Sequence, residues 1–306
     1  MPGRSKFCAL VWLCASWVSA CASAGGLEEP AETVNAERLV LQTEPVLLAP
    51  GIERYVCQDF ANPFGRDIAI VESASELTPG IHHFLAFALS AAQNHAVTLT
   101  DDPLQECPSA GLEFHDFIHA AAVRQVVTVY PEGVGRLLPA ARGLRLNAHL
   151  VNVTDAPIEA SVRLSLKYVD ASRVSRHAAG LFLNNINVSV PPGRSTQTAS
   201  YTLPYDIELI RVSGHMHGRG VYFSAEAGDG LPLFETNQWA EPETKSFAPA
   251  LMLQRGTQIT WSCTYLNETG KTIPFGQSAT EGEMCVLPGT FIGGDGNSLN
   301  NFDRLL

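Results

Sequence analysis

The chain has 306 residues, of which 45% are hydrophobic and 17% charged, and its formal net charge is -11. That length and apolar content are ample for a buried core, as one large domain or two medium ones. No basic patch or run of like charge is present, which argues against a nucleic-acid partner.

Read in chain order, the first element is a targeting segment. Arg4 and Lys6 precede an apolar stretch from Phe7 to Val18, followed by Val18-Ser19-Ala20-Cys21. Small residues ahead of a cleavage point mark an export signal. The cysteine after them resembles a bacterial lipobox, which predicts a lipoprotein-type signal peptide over 1–21 and a membrane anchor through lipidated Cys21. An ordinary signal peptide cut near Ala22 or Ala24 is the alternative. The apolar run is too short for a spanning helix. Residues 22–32, rich in Ala, Gly and Glu, read as a flexible tether. The implied location is the cell envelope. With the leader removed and Cys21 lipidated, Cys57, Cys107, Cys263 and Cys285 remain. An even count in an exported protein predicts two disulfides. Three pairings are open, and sequence order favours Cys57–Cys107 and Cys263–Cys285, each closing a loop within one half.

Strand-like segments dominate the rest: Ile68–Val71, Ile81–Leu89, Val123–Tyr130, Leu144–Val153, Ala160–Val169, Gly180–Val190, Ile207–Ser213, Val221–Ala225 and Gln258–Tyr265. Several alternate apolar with polar residues, and Pro-Gly and Gly-Asp-Gly turns punctuate them. One short helix is expected around Phe114–Ala122. The pattern predicts an all-β chain of β-sandwiches or jelly rolls. The polar stretch Asp170-Ala171-Ser172-Arg173 is the expected seam between an N-terminal domain over 33–172 and a C-terminal domain over 173–306. No exact internal repeat is visible.

The chemistry is carried by histidines. His215 and His217 are two residues apart in a strand-like run, so their side chains face the same way and can grip one metal ion. Met216 points to the opposite face, as core. Met284 lies far along the chain in Glu283-Met284-Cys285 and could add a thioether; two imidazoles and a thioether favour copper, especially Cu(I). A second set lies upstream. His82 and His83 are adjacent, so a regular strand would send them to opposite faces, and sharing one ion needs a local distortion. Gly80, after Pro79, could supply the bend. His149 is a polar insertion in the apolar strand Leu144–His149.

Taken in order, His82-His83-Phe84-Leu85, His149, His215-Met216-His217 and Gly276-Gln277-Ser278 before Glu283-Met284-Cys285 resemble the copper type II, ascorbate-dependent monooxygenases, the family of peptidylglycine α-hydroxylating monooxygenase and dopamine β-monooxygenase. Tyr55-Val56-Cys57 and the Pro191-Pro192-Gly193 turn extend the match, which spans roughly residues 50–290. The resemblance implies two tandem antiparallel jelly-roll domains with one copper each. His82, His83 and His149 would hold an electron-transfer copper. His215, His217 and Met284 would hold the catalytic copper that meets O2 and substrate. Ascorbate would reduce both, and the two centres would face each other across a solvent-filled cleft.

The match departs from the peptide enzyme at the substrate. Its arginine two residues before the His-x-His is Ser213 here, and its Asn and Tyr after the methionine are Val286 and Pro288. Arg211 and Arg219 are nearby but stand at neither position. The expected substrate is therefore a smaller or more apolar small molecule. The runner-up reading is a non-catalytic copper-binding or copper-handling envelope lipoprotein on the same fold. His115 and His119, four apart in the expected helix, could share a face; His95 and His177 join no constellation. Asn152-Val153-Thr154, Asn187-Val188-Ser189 and Asn267-Glu268-Thr269 match glycosylation sequons, read as chance.

Overall fold

The computed structural model describes residues 36–62, 64–89, 103–107, 116–240, 242–294 and 296–301. The signal peptide, Cys21, the tether, His95 and His115 lie outside them. Everything described falls within one compact unit, Asn35–Leu306. Its fold class is the expected one: antiparallel β-sandwich of jelly-roll type, with two cores in tandem. No α-helix occurs among the described residues, which hold one 3-10 turn, Ala171–Arg173, at the expected seam.

Strand alternation builds the layers. In Val162–Asp170, Val162, Leu164 and Leu166 are buried while Arg163 is exposed, so one face of the strand enters the core and the other meets solvent. This strand belongs to a long sheet that continues through both halves. Its path runs from Glu37–Gln42 through Val162–Asp170, Ile68–Leu77, Val134–Leu138, Arg176–Asn184, Cys285–Gly293 and Ile207–Val212 to Lys245–Leu253. The halves join where Arg176 and His177 pair in parallel with Val134 and Gly135.

A smaller sheet covers each half of the long one. Over the N-terminal half lie Gln105–Glu106, Glu53–Phe60, Leu144–Val151, Ile81–Ala88 and Phe117–Ala121, in that order. Phe84, Leu146 and Ala148 from this sheet pack with Leu164, Leu166 and Ile70 from the long sheet. Over the C-terminal half lie Gly193–Thr202, Gln258–Asn267, Gly220–Ala227 and Leu231–Thr236. Trp261, Phe223 and Ile259 pack there with Leu181, Leu209 and Phe291. Each half carries one disulfide, Cys57–Cys107 and Cys263–Cys285, paired as expected.

One expectation changes. The helix over 114–122 is not formed in its described part, because Phe117–Ala121 is a strand. It hydrogen-bonds to the edge of Ile81–Ala88, and satisfying that buried edge outweighs the local helical preference of an Ala-rich run. The sequons at Asn152 and Asn267, read as chance, are matched turn staples. Asn152 donates to Leu48 O and Ala156 O and accepts from the Thr154 N–H. Asn267 donates to Val190 O and Lys271 O and accepts from the Thr269 N–H. The same Asn-x-Thr device thus follows a strand end in each half, a structural repeat that the sequence carries in only two matching residues.

Candidate metal centre

The long sheet has a second face in its C-terminal half. Leu181, Leu183 and Leu287 point into the C-terminal core, so their neighbours Phe182, Met284 and Val286 form a separate apolar group that Phe117 of the other half packs against. The histidines gather beside this contact.

A bulge solves the problem of the adjacent pair. His149 lies opposite His83, yet the next residue, Leu150, lies opposite Ile81. His82 is the extra residue, which turns it to the side of its neighbour, and the two rings stand 5.4 Å apart between centroids. The bend begins at Gly80, whose φ of 89° is left-handed; a Cβ there would meet Ile158 Cδ1 at 2.5 Å. His149 reaches both rings, at 5.2 Å from His82 and 5.0 Å from His83.

His215 pairs with Val286, and Met216 with Cys285. Alternation sends Met216 into the core at 1% exposure, and leaves the His215 and His217 rings 5.4 Å apart. Tyr265 Oη donates to Met284 O at 2.7 Å, and Trp261 Nε1 to Cys285 O at 3.1 Å. Buried aromatic donors therefore anchor the backbone that presents Met284. Met284 shares a pocket wall with His83 and His215.

The two sets are not held apart across a cleft. His82 lies 5.9 Å from His215 and 6.0 Å from His217, and His83 lies 5.4 Å from His215. The tightest trio, His82, His83 and His215, draws on both sets, with one ligand nitrogen from each lying within 4.8 Å of the others. Four ring nitrogens are buried without a partner: His82 Nε2, His83 Nδ1, His149 Nδ1 and His217 Nε2. Each such atom costs about 1–3 kcal/mol unless something takes it, so a convergence of four fits a metal site better than a packed core. Burial, with repulsion among the rings, holds all five imidazoles neutral. His82, His149 and His217 fall to about 4, and His83 and His215 well below the usual histidine range. Neutral imidazole is the ligand form.

Partners behind the rings fix the tautomers. His149 Nε2 donates to Glu53 Oε1 at 2.8 Å, which leaves Nδ1 bare, and the Tyr55 ring stacks on His149 at 4.0 Å. His217 Nδ1 donates to Gly282 O at 3.2 Å, which leaves Nε2 bare. Burial raises the Glu53 carboxyl, but donation from the Ala279 N–H, His149 and Ser278 outweighs it and leaves the pKa lowered. Glu283 is fully buried; it accepts from the His217 and Arg219 N–H groups at 3.1 and 3.0 Å, and burial still raises its pKa.

One loop, residues 276–283, ties these partners together. Ser278 Oγ, the Ala279 N–H and Thr280 Oγ1 donate to Glu53, and Tyr55 Oη donates to Gln277 O. The loop closes on Gly276 and Gly282, where a Cβ on Gly282 would meet Gly276 backbone at 2.5 Å. Glu53 and Gly282 escaped the sequence reading; nothing local marks either, and only the loop's path across both halves reveals them. Arg219 is occupied with Glu283 and Thr280 O, and Val286 lies buried behind Met284. Ser213, Pro288 and Arg211 line the adjoining pocket, a cavity of about 120 Å³.

No family model and no characterised protein sequence matches this chain. Among solved structures it is similar to PNGase F, a glycosylasparaginase from Flavobacterium meningosepticum, at 8% identity and a TM-score of 0.37, over 86% of this chain and 97% of that one. The major capsid protein P2 of bacteriophage PM2 gives 8% and 0.35, over 85% and 100%. The STIV capsid protein gives 8% and 0.34, over 83% and 96%. Likenesses this remote say nothing about what the site does.

Proposed function

We propose that the chain is a copper-dependent monooxygenase that hydroxylates a C–H bond of a small organic substrate, using O2 and ascorbate or another one-electron reductant. The observation that carries this reading is the convergence of five neutral imidazoles, four with a bare buried nitrogen, of which His83 and His215 share a pocket wall with Met284. Six donors suffice for two copper ions: His82, His83 and His149 for one, and His215, His217 and Met284 for the other. The thioether favours Cu(I), while imidazoles alone serve both oxidation states. Copper, when bound, supplies the one-electron redox chemistry that oxygen insertion needs.

The chain's own residues do the rest. Glu53 and Gly282 O hold the tautomers of His149 and His217, as partners behind metal ligands do elsewhere. Phe117, Phe182 and Met284 form an apolar part of the pocket lining, against which the carbon body of a substrate would pack. Overall, substrate and O2 with two electrons and two protons yield alcohol and water, the electrons coming from the reductant. The disulfides fit an oxidising compartment, consistent with an envelope protein anchored through Cys21.

The test is copper per chain, with ascorbate-driven oxygen uptake, in the purified protein and in Met284→Ala and His149→Ala. Two coppers in the parent, one lost or weakened in each variant, and uptake abolished in Met284→Ala with the fold intact are expected. Retained uptake in Met284→Ala would remove the proposed role of Met284. Copper bound without any uptake would establish the copper-handling protein instead.

A further inference from the structure

We infer that the pocket beside the histidines takes a small apolar carboxylate, anchored by the Arg211 guanidinium. The inference rests on reading that pocket as the substrate site. Arg211 sits on Ile207–Val212, where the pairing is irregular between Leu209 and Arg211. That bulge lets Ile210 pack into the N-terminal core while Leu209 and Val212 stay in the C-terminal one. Arg211 then falls opposite Thr290 and joins the pocket wall with His119, Thr128 and Tyr130.

The other interior arginines are neutralised by carboxylates. Arg136 and Arg142 pair with Asp116, and Arg145 grips Asp59 through two contacts of 2.6 Å. Arg211 differs. Its side chain donates to the Thr128 hydroxyl, and among the described residues no Asp or Glu pairs with it. Burial draws its pKa below the usual guanidinium value, yet a guanidinium remains charged. Among the described residues its pocket neighbours offer no anion. His119 is neutral, with Nδ1 engaged by Ser73 Oγ and Nε2 by Ser75 Oγ. The Tyr130 phenol, pushed up to about 12 by burial, is neutral as well.

Arg211 is half-buried in this pocket wall; a charge so placed is normally paired, so the missing anion is assigned to the ligand. The planar fork of arginine matches a carboxylate. The apolar part of the lining, with Phe117, Phe182 and Met284, calls for an apolar body. The cavity is comparable in size to one of roughly 150 Å³ that holds a single benzene ring. A ligand held at Arg211 would present that body toward the end of the pocket that carries His83, His215 and Met284. The smaller, more apolar substrate expected from the sequence thereby gains a charged end.

The experiment is calorimetric titration of the metal-free, disulfide-intact protein with phenylacetate, phenylacetamide and inorganic phosphate. Phenylacetate should bind tighter than its uncharged amide by a factor of about ten or more, the range of a charge-assisted hydrogen bond in a buried site. The preference should vanish in Arg211→Gln and persist, weakened, in Arg211→Lys. Equal binding of acid and amide to the parent protein overturns the inference without any variant, so a misfolded Arg211→Gln does not protect it. A preference unchanged in Arg211→Gln also overturns it, and phosphate binding as tightly as phenylacetate removes the apolar body. Copper is absent from the titration, so carboxylate selectivity without copper-dependent oxygen uptake would sink the monooxygenase reading alone. Copper-dependent uptake without carboxylate selectivity would sink this inference alone.

Discussion

Glu53 Oε1 lies 2.8 Å from His149 Nε2 while the Ala279 N–H donates to the same oxygen at 2.8 Å. A carboxylate from the N-terminal half thus orients a candidate metal-ligand histidine under the control of a loop from the C-terminal half. This relationship makes Glu53→Ala a positioning variant. It should lower copper affinity by roughly 10–100-fold, as loss of a partner behind a ligand does elsewhere. Competition with a chelator of known affinity measures it. Unchanged affinity would show that the loop, rather than Glu53, sets the ring.

Gly282→Ala tests the loop itself. The new Cβ would stand 2.5–2.7 Å from Gly276 backbone atoms, so the loop must open and Gly282 O must leave His217 Nδ1. The expected result is a lower melting temperature together with weakened copper binding at one of the two sites. Ala at Gly270, which has nothing within 4 Å of a built Cβ, is the control and should leave copper binding unchanged.

His119 gives a pH dependence outside the proposed metal ligands. Its folded pKa is about 3, lowered by burial and by Arg211, against roughly 6.5 unfolded. The unfolded chain therefore binds the proton first, and the stability due to neutral His119 is present above about pH 6.5 and lost progressively as pH falls toward 3. Urea unfolding at pH 7 and pH 4.5 should show a smaller acid loss in His119→Gln than in the parent. An identical loss in both would assign the acid sensitivity elsewhere.

Asn152→Ala and Asn267→Ala should each destabilise the chain by about 1–3 kcal/mol, because the turn groups they bond are left unpaired. Denaturant midpoints measure this. Because both side-chain amides are tied to backbone carbonyls, neither position should carry a glycan on expression in a glycosylating host, which mass spectrometry checks. A glycan at either position would mean that its turn forms after modification.

Much was legible locally. Side-chain alternation in Ser161–Tyr168 marks a half-buried strand whatever its partner. His215-x-His217 puts two imidazoles on one face because strand period is two. Four cysteines behind an export-like leader point to two bridges. What only the tertiary structure decided is non-local. The bulge at His82 depends on the register with Leu144–Val151, and no residue near His82 encodes that register by itself. The strand at Phe117–Ala121 exists because Ile81–Ala88 offers an unpaired edge, an opportunity that a sequence window cannot see. The merging of two histidine sets, the clasp of Glu53 by residues 278–280 and the isolation of Arg211 all come from surfaces of the two halves meeting. Their burial and charge pairing are properties of that contact, which no stretch of chain possesses alone.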